Sequence, residues 1–194
     1  MSTLTLKELS APTGEVIKIA AGKTLDLKSQ GNVTMPTGSV LQVVSSTKSD
    51  TFSVTGMTFT DVPDLSVTLT PTSTSSKILV SVDMHLDSSI RYAAAKLYRD
   101  STLIAIGDAS GNRARVFIAC QRNQDATNDQ YVLHNQSGSY LDSPTTTSAV
   151  TYKIKVANTY DSNGVTYVNR THPDDNYSYA HRGVSTITLQ EIKG

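Results

Sequence analysis

The chain has 194 residues, with 17 Lys and Arg against 17 Asp and Glu and no net charge at neutral pH. This balance argues against nucleic acid as the main partner, because phosphate binding needs an excess of Lys and Arg on one face, and no apolar stretch is long enough for insertion in a membrane. Cys120 is the single cysteine, so no intrachain disulfide can form, and its place in VFIAC suits a buried structural thiol better than a reactive one.

The opening MSTLTLKELS lacks the basic region and apolar core of a secretory signal, so a protein made in the cytoplasm is expected. Residues 3–9 fit a strand or a helix, and Pro12 and Gly14 then break the pattern. Residues 1–14 therefore read as an attachment arm that is ordered only in its assembly. From Glu15 the sequence EVIKIAAGKTLDLKSQGNVTMPTGSVLQVV makes short alternating runs at 16–19, 25–27 and 33–35, separated by Gly22, Gly31 and Gly38. Strands this short bury too little apolar surface to offset the ordering of their own backbone. They need neighbours, most simply copies of themselves. Residues 1–36 are thus expected to form a short, extended, Gly-punctuated β segment that attaches and intertwines, and Pro36-Thr37-Gly38 marks the boundary with a main domain over 37–194.

That domain reads as a succession of strands at 40–46, 51–54, 65–70, 78–86, 93–99, 103–106, 113–121, 130–133, 150–157, 165–168 and 184–192. In the clearest, Ile78, Val80, Val82, Met84 and Leu86 share one face while Leu79, Ser81, Asp83 and His85 share the other, which predicts packing against a second sheet. Tyr152, Ile154 and Val156 alternate in the same way with Lys153, Lys155 and Ala157, as do Ile187 and Leu189 with Thr186, Thr188 and Gln190. Turn chemistry separates the runs, as in DASGN at 108–112 and DSNG at 161–164, whose Asn-Gly pair suits a type I′ hairpin. Trp is absent and the core must rely on Val, Ile and Leu, which with abundant Thr favour pleated strands. The predicted fold class is all-β, a jelly-roll-like β-sandwich.

The stretches IKIAAGKTLDLKSQGNVTMPTGSVLQVV, TFTDVPDLSVTLTPTSTSSKILVSVDM, LYRDSTLIAIGDASGNRAR and VSTITLQEIKG resemble the small all-β virion surface proteins of tailed bacteriophages, of the tail-fibre or head-fibre type. The resemblance covers most of the chain and implies a homotrimer on the virion surface. It leaves tail and head locations equally open.

Reacting groups are harder to find. His172 and His181, with Asp174 or Asp175, offer metal ligands at a spacing that matches no standard site, and the alternative is a solvated loop. The oxygen-rich stretch holding Asp125, Asn128 and Asp129 lacks the turn glycine and terminal glutamate of a calcium loop. There is no Gly-x-Ser-x-Gly elbow, and the glycines at 107 and 111 lack the Walker lysine. No metal, cofactor or catalytic residue is assigned, and a glycan-cleaving carboxylate pair is the weaker, enzymatic alternative.

A more suggestive cluster lies in the last third, where Tyr160, Tyr167, Tyr177 and Tyr179 stand among Asn169, Arg170, Asp174 and Arg182 in polar, turn-rich segments. Tyr stacks on the apolar face of a sugar while Asn, Asp and Arg bond its hydroxyls, so these eight residues are the candidate glycan-binding set. Tyr is equally at home at sandwich edges and subunit interfaces, which is the structural alternative. The leading expectation is a trimeric virion fibre or tip, joined to other virion proteins through residues 1–36 and binding host surface carbohydrate. The alternative is a head decoration protein held to the capsid by that same segment.

Overall fold

The computed structural model describes residues 21–22, 34–122 and 129–194. The chain divides after Met35. The attachment arm and short strands expected over 1–36 lie almost wholly outside the described residues, among which Gly22 takes a left-handed turn at φ 73°.

The unit from Pro36 to Gly194 is all-β. Its strands are β1 (Val40–Lys48), β2 (Phe52–Thr55), β3 (Thr60–Leu69), β4 (Lys77–Ser88), β5 (Tyr92–Arg99), β6 (Thr102–Ile104), β7 (Ile118–Gln121), β8 (His134–Asp142), β9 (Val150–Asn158), β10 (Val165–Val168) and β11 (Ser185–Ile192). A 3₁₀ turn spans Asp129–Tyr131, and no α-helix occurs among the described residues, so none is long and apolar enough to cross a membrane. At Pro36-Thr37-Gly38 the chain turns: Gly38 takes φ 87°, Ser39 N donates to Pro36 O, and Gly38 N donates to Lys193 O at 2.8 Å.

Two antiparallel sheets form the sandwich, one ordered β1-β11-β4-β10-β2 with β8 also on β4, the other β3-β9-β5-β6 with β7 also on β5. Register shows that several of these strands are halves of longer ones. β8 pairs with β4 from Ile78 to Leu86, so β11, on Lys77 to Asp83, and β10, on Leu86 to Ser88, must share the opposite edge of β4. By the same reasoning β6 and β7 share one edge of β5, and β1 and β2 follow β11 and β10. Joined in this way, the strands make two four-stranded sheets. Successive strands cross between the sheets except at the β5–β6 hairpin, and first and last strands are neighbours. That connectivity is a jelly roll.

The core forms where the period-2 pattern predicts it. Ile78, Val80, Val82, Met84 and Leu86 of β4 are all buried, facing Ala93, Ala95 and Leu97 of β5 and Tyr152, Ile154 and Val156 of β9. Cys120 is buried among them, and burial pushes its thiol up to about 12, with the nearby Asp87 carboxylate adding to the shift.

Four expectations are corrected. Residues 130–133 are not a strand but a 3₁₀ turn and its exit, and the strand follows at His134–Asp142. This strand, HNQSGSYLD, is too polar to announce itself: it is an edge strand, and its central Gly138 leaves the space that the Phe117 ring fills, since a Cβ there would sit 2.8 Å from Phe117 Cζ. Strand β3 begins at Thr60 and not Leu65, because Asp64, after Pro63, takes φ 65° and shifts the register between Asp61 and Ser66, which lets Val62 and Leu65 both face inward. Of 113–121 only Ile118–Gln121 is strand. Finally, Asn163-Gly164 is not a type I′ hairpin: β9 and β10 lie in different sheets, and neither residue takes positive φ. Gly164 is required by space, because a Cβ would approach the Asn158 side chain to 2.4 Å.

Candidate functional site

The break between β10 and β11 is an insertion, residues 169–184, that leaves the sheet and returns to the same line. Asn169 holds its base. At φ 62° it turns the chain out of β10, its Nδ2 donates to Lys48 O at 2.8 Å and Asp50 O at 2.9 Å, and its Oδ1 accepts from Ser185 Oγ at 2.6 Å. The stem is closed by Gly183 N donating to Asn169 O and by the bridge between Arg170 and Arg182. Gly183 lies against the His85 ring, where a Cβ would meet Cγ at 2.6 Å.

The eight candidate residues are divided by this geometry. Asn169 and Tyr167 are buried, at 0% and 7% exposure, so their polar groups serve the fold. Tyr167 Oη lies 3.1 Å from His172 Nδ1, the Arg170 guanidinium covers its ring at 4.2 Å, and burial raises its pKa. Tyr160 is exposed but elsewhere, on the β9–β10 connection, edge-on to Tyr92 at 6.0 Å with Arg91 over its ring. Arg170, Asp174, Tyr177, Tyr179 and Arg182 stay together on the insertion.

Within that remainder Tyr177 and Tyr179 stack at 5.0 Å with their planes 14° apart, and both are about half exposed. A third ring supports them. Tyr131, from the 3₁₀ turn before β8, meets Tyr179 edge-on at 4.7 Å and donates to Asp175 Oδ2 at 3.0 Å, a bond that raises the Tyr131 pKa. Asp174 accepts from Arg182 at 2.5 Å and lies 3.5 Å from Arg170. The result is a stacked pair of rings with a third ring edge-on behind it, flanked by two carboxylates and an exposed guanidinium. Such a surface can stack on a ring and bond its hydroxyls. Tyr131 and Asp175 are the members that sequence reasoning left out of the set; Tyr131 was placed in a strand, although its polar neighbours Asn128, Asp129 and Gln130 pointed to a turn.

No group of His, Cys, Asp and Glu that could hold a metal ion gathers among the described residues. His172 is turned to Tyr167, and burial, helped by Arg122 and Arg170, lowers its pKa. Asp125 and Asn128 lie outside the described residues.

No protein-family model matches the chain, and no curated protein matches it. Among solved structures it is similar to the infectious bursal disease virus VP2 subviral particle, with a TM-score of 0.36 and 14% identity over 88% of this chain and 42% of that one. The structure of the Gx strain of infectious bursal disease virus is similar at a TM-score of 0.36 and 13% identity, over 87% of this chain and 42% of that one. The chain spans about two fifths of the length of these structures.

Proposed function

We propose that this chain is a non-enzymatic structural protein of a virion surface, a homotrimer held to other virion proteins through residues 1–36, and that its insertion binds host surface carbohydrate. The observation that carries the binding part is the stacked, half-exposed Tyr177–Tyr179 pair. Exposing two large rings side by side costs stability unless something covers them, and Tyr131, Asp175 and Asn169 are spent on holding them in place. The jelly roll supports a virion role by analogy of fold, since viral capsid and lectin domains both use it, and the sequence resemblance to phage surface proteins points the same way. Weak single-site contacts would add up on a trimer repeated over a particle.

The test is binding of the purified protein to the host's surface polysaccharide, with Tyr177→Ala/Tyr179→Ala as the comparison. Loss of both rings should weaken binding by about 2 kcal/mol, or about thirtyfold, in a variant that still unfolds cooperatively. Equal binding by the variant contradicts the assignment. Labelled antibody on intact particles then separates a tail fibre from a head decoration.

A further inference from the structure

We propose that the outer face of the sheet formed by β3, β9 and β5 carries a second, separate binding surface, for a polyanionic glycan, centred on Lys153 and Lys155. Register places these residues. On this face Asp61 stands opposite Lys155 and Lys155 opposite Lys96, while in the next row Ser66 stands opposite Lys153 and Lys153 opposite Tyr98. Three of the chain's cations thus crowd onto two adjacent rows, and two of them, Lys96 and Lys155, face each other directly across strands. Like charges so placed destabilise a sheet. In a chain of zero net charge this concentration is a local feature with a cost.

Neutralisation of these charges within the protein is incomplete. Asp61 is shared between Lys153 at 3.3 Å and Lys155 at 3.6 Å, both longer than the roughly 2.7–2.9 Å of a strong charge-assisted bond. Lys48 shows what this protein does when a lysine is fully committed: it is buried, with Asp50 at 2.7 Å. A second carboxylate, Asp100, accepts from Thr151 N at 2.9 Å and lines the same groove, so three ammonium groups on this face stand against two carboxylates. Two of the ammonium groups also lie over rings, Lys155 Nζ at 5.0 Å from the Tyr98 centroid and Lys96 Nζ at 4.1 Å from that of Phe59. Lys153 and Lys155 are about a quarter exposed. They line a groove of about 520 Å³ with Tyr98, Asp100, Ser101 and Thr151. The groove offers ammonium donors for an anionic group, hydroxyls for sugar oxygens, and the ring of Tyr98 in its lining. The remaining surplus of positive charge on this face selects a carboxylated or sulfated polysaccharide, whereas the Tyr177–Tyr179 surface, with Arg170 and Arg182 against Asp174 and Asp175, has none.

The test is binding of the full chain to dextran sulfate and to polygalacturonate, with neutral dextran as control, at low and high salt. Salt-sensitive binding to one polyanion or both is expected, and which one responds identifies the anionic group. Lys153→Gln/Lys155→Gln should weaken it at least about tenfold, while Lys153→Arg/Lys155→Arg retains it. Asp61→Asn frees both ammonium groups, and binding should tighten; a merely structural Asp61 would leave affinity unchanged or reduce it. Tyr177→Ala/Tyr179→Ala should leave polyanion binding unaltered, so this surface can fail or succeed independently of the other. Absence of binding to both polyanions, or unaltered binding by the Gln variant, overturns the proposal.

Discussion

Tyr152 and Asp142 tie the two sheets together: the buried Tyr152 hydroxyl on β9 donates to Asp142 Oδ2 on β8 at 2.7 Å. Arg99 of β5 completes the link, its Nη1 donating to both oxygens of the same carboxylate at 3.0 and 2.8 Å. Burial alone would depress the Arg99 pKa, and the Asp142 carboxylate, helped by Tyr152 and Asp100, raises it above its ordinary value. The β8 edge, which has little apolar surface of its own, is thereby fixed to the opposite sheet.

Removing the shared acceptor should cost far more than removing one donor. Asp142→Ala leaves a partly buried guanidinium and a buried phenol unpaired and should destabilise by about 3 kcal/mol, whereas Tyr152→Phe should cost about 1 kcal/mol. Chemical denaturation of the two variants checks the ratio.

Val80 is fully buried at the centre of β4, between β11 and β8. Val80→Ala should lose about 2 kcal/mol through lost burial and the cavity left behind. Val80→Asp places an unpaired charge there and should abolish cooperative unfolding at room temperature. Wild-type thermal stability in Val80→Asp would refute the inward assignment of this face.

Asn169 stands where the insertion leaves the sheet, in the left-handed region with both ends of its amide engaged. Asn169→Ala should cost about 3 kcal/mol, part from the lost bonds and part from placing a Cβ-bearing residue without a compensating side chain at positive φ. Because the stem of the Tyr177–Tyr179 loop starts here, carbohydrate binding should weaken in the variant even where it remains folded. Differential scanning calorimetry together with the binding assay separates the two effects.

Alkaline pH should weaken the fold through its buried acids. The Cys120 thiol is raised by burial to about 12 from an ordinary value of 9.0, and burial followed by the bond to Asp142 raises Tyr152 as well. A raised pKa means that the unfolded chain loses its proton first, so the stability is intact below pH 9 and falls as pH climbs from about 9 towards 12. Each pH unit in that window should remove about 1 kcal/mol on account of Cys120. Cys120→Ala, measured by denaturant unfolding between pH 8 and 11, should show a shallower decline.

Much of the sandwich was legible because its central strands obey a strict alternation. Residues 78–86 and 150–157 were placed nearly to the residue by the apolar pattern alone. The failures are equally specific. Strand β8 was missed since an edge strand needs little apolar character, and Gly138 and Gln136 carry none. The start of β3 was missed since Pro63 and the left-handed Asp64 break the period of two. In the candidate site the local composition grouped residues of the insertion with Tyr160 and Tyr167, which lie outside it, because composition carries no burial. Asn169 and Arg170 are chain neighbours, yet one is sealed beneath the loop and the other lies against a ring on its surface side. Tyr131 joins the site only through the fold, more than forty residues from its partners in sequence.

The most direct measurement is an NMR titration of the tyrosine ring signals with fragments of the host's surface polysaccharide. The account predicts that Tyr131, Tyr177 and Tyr179 shift together and saturably, while Tyr92 and Tyr160 do not move. Shifts confined to Tyr92 and Tyr160, or no shift in any ring at saturating sugar, would contradict the assignment of the insertion as the carbohydrate site.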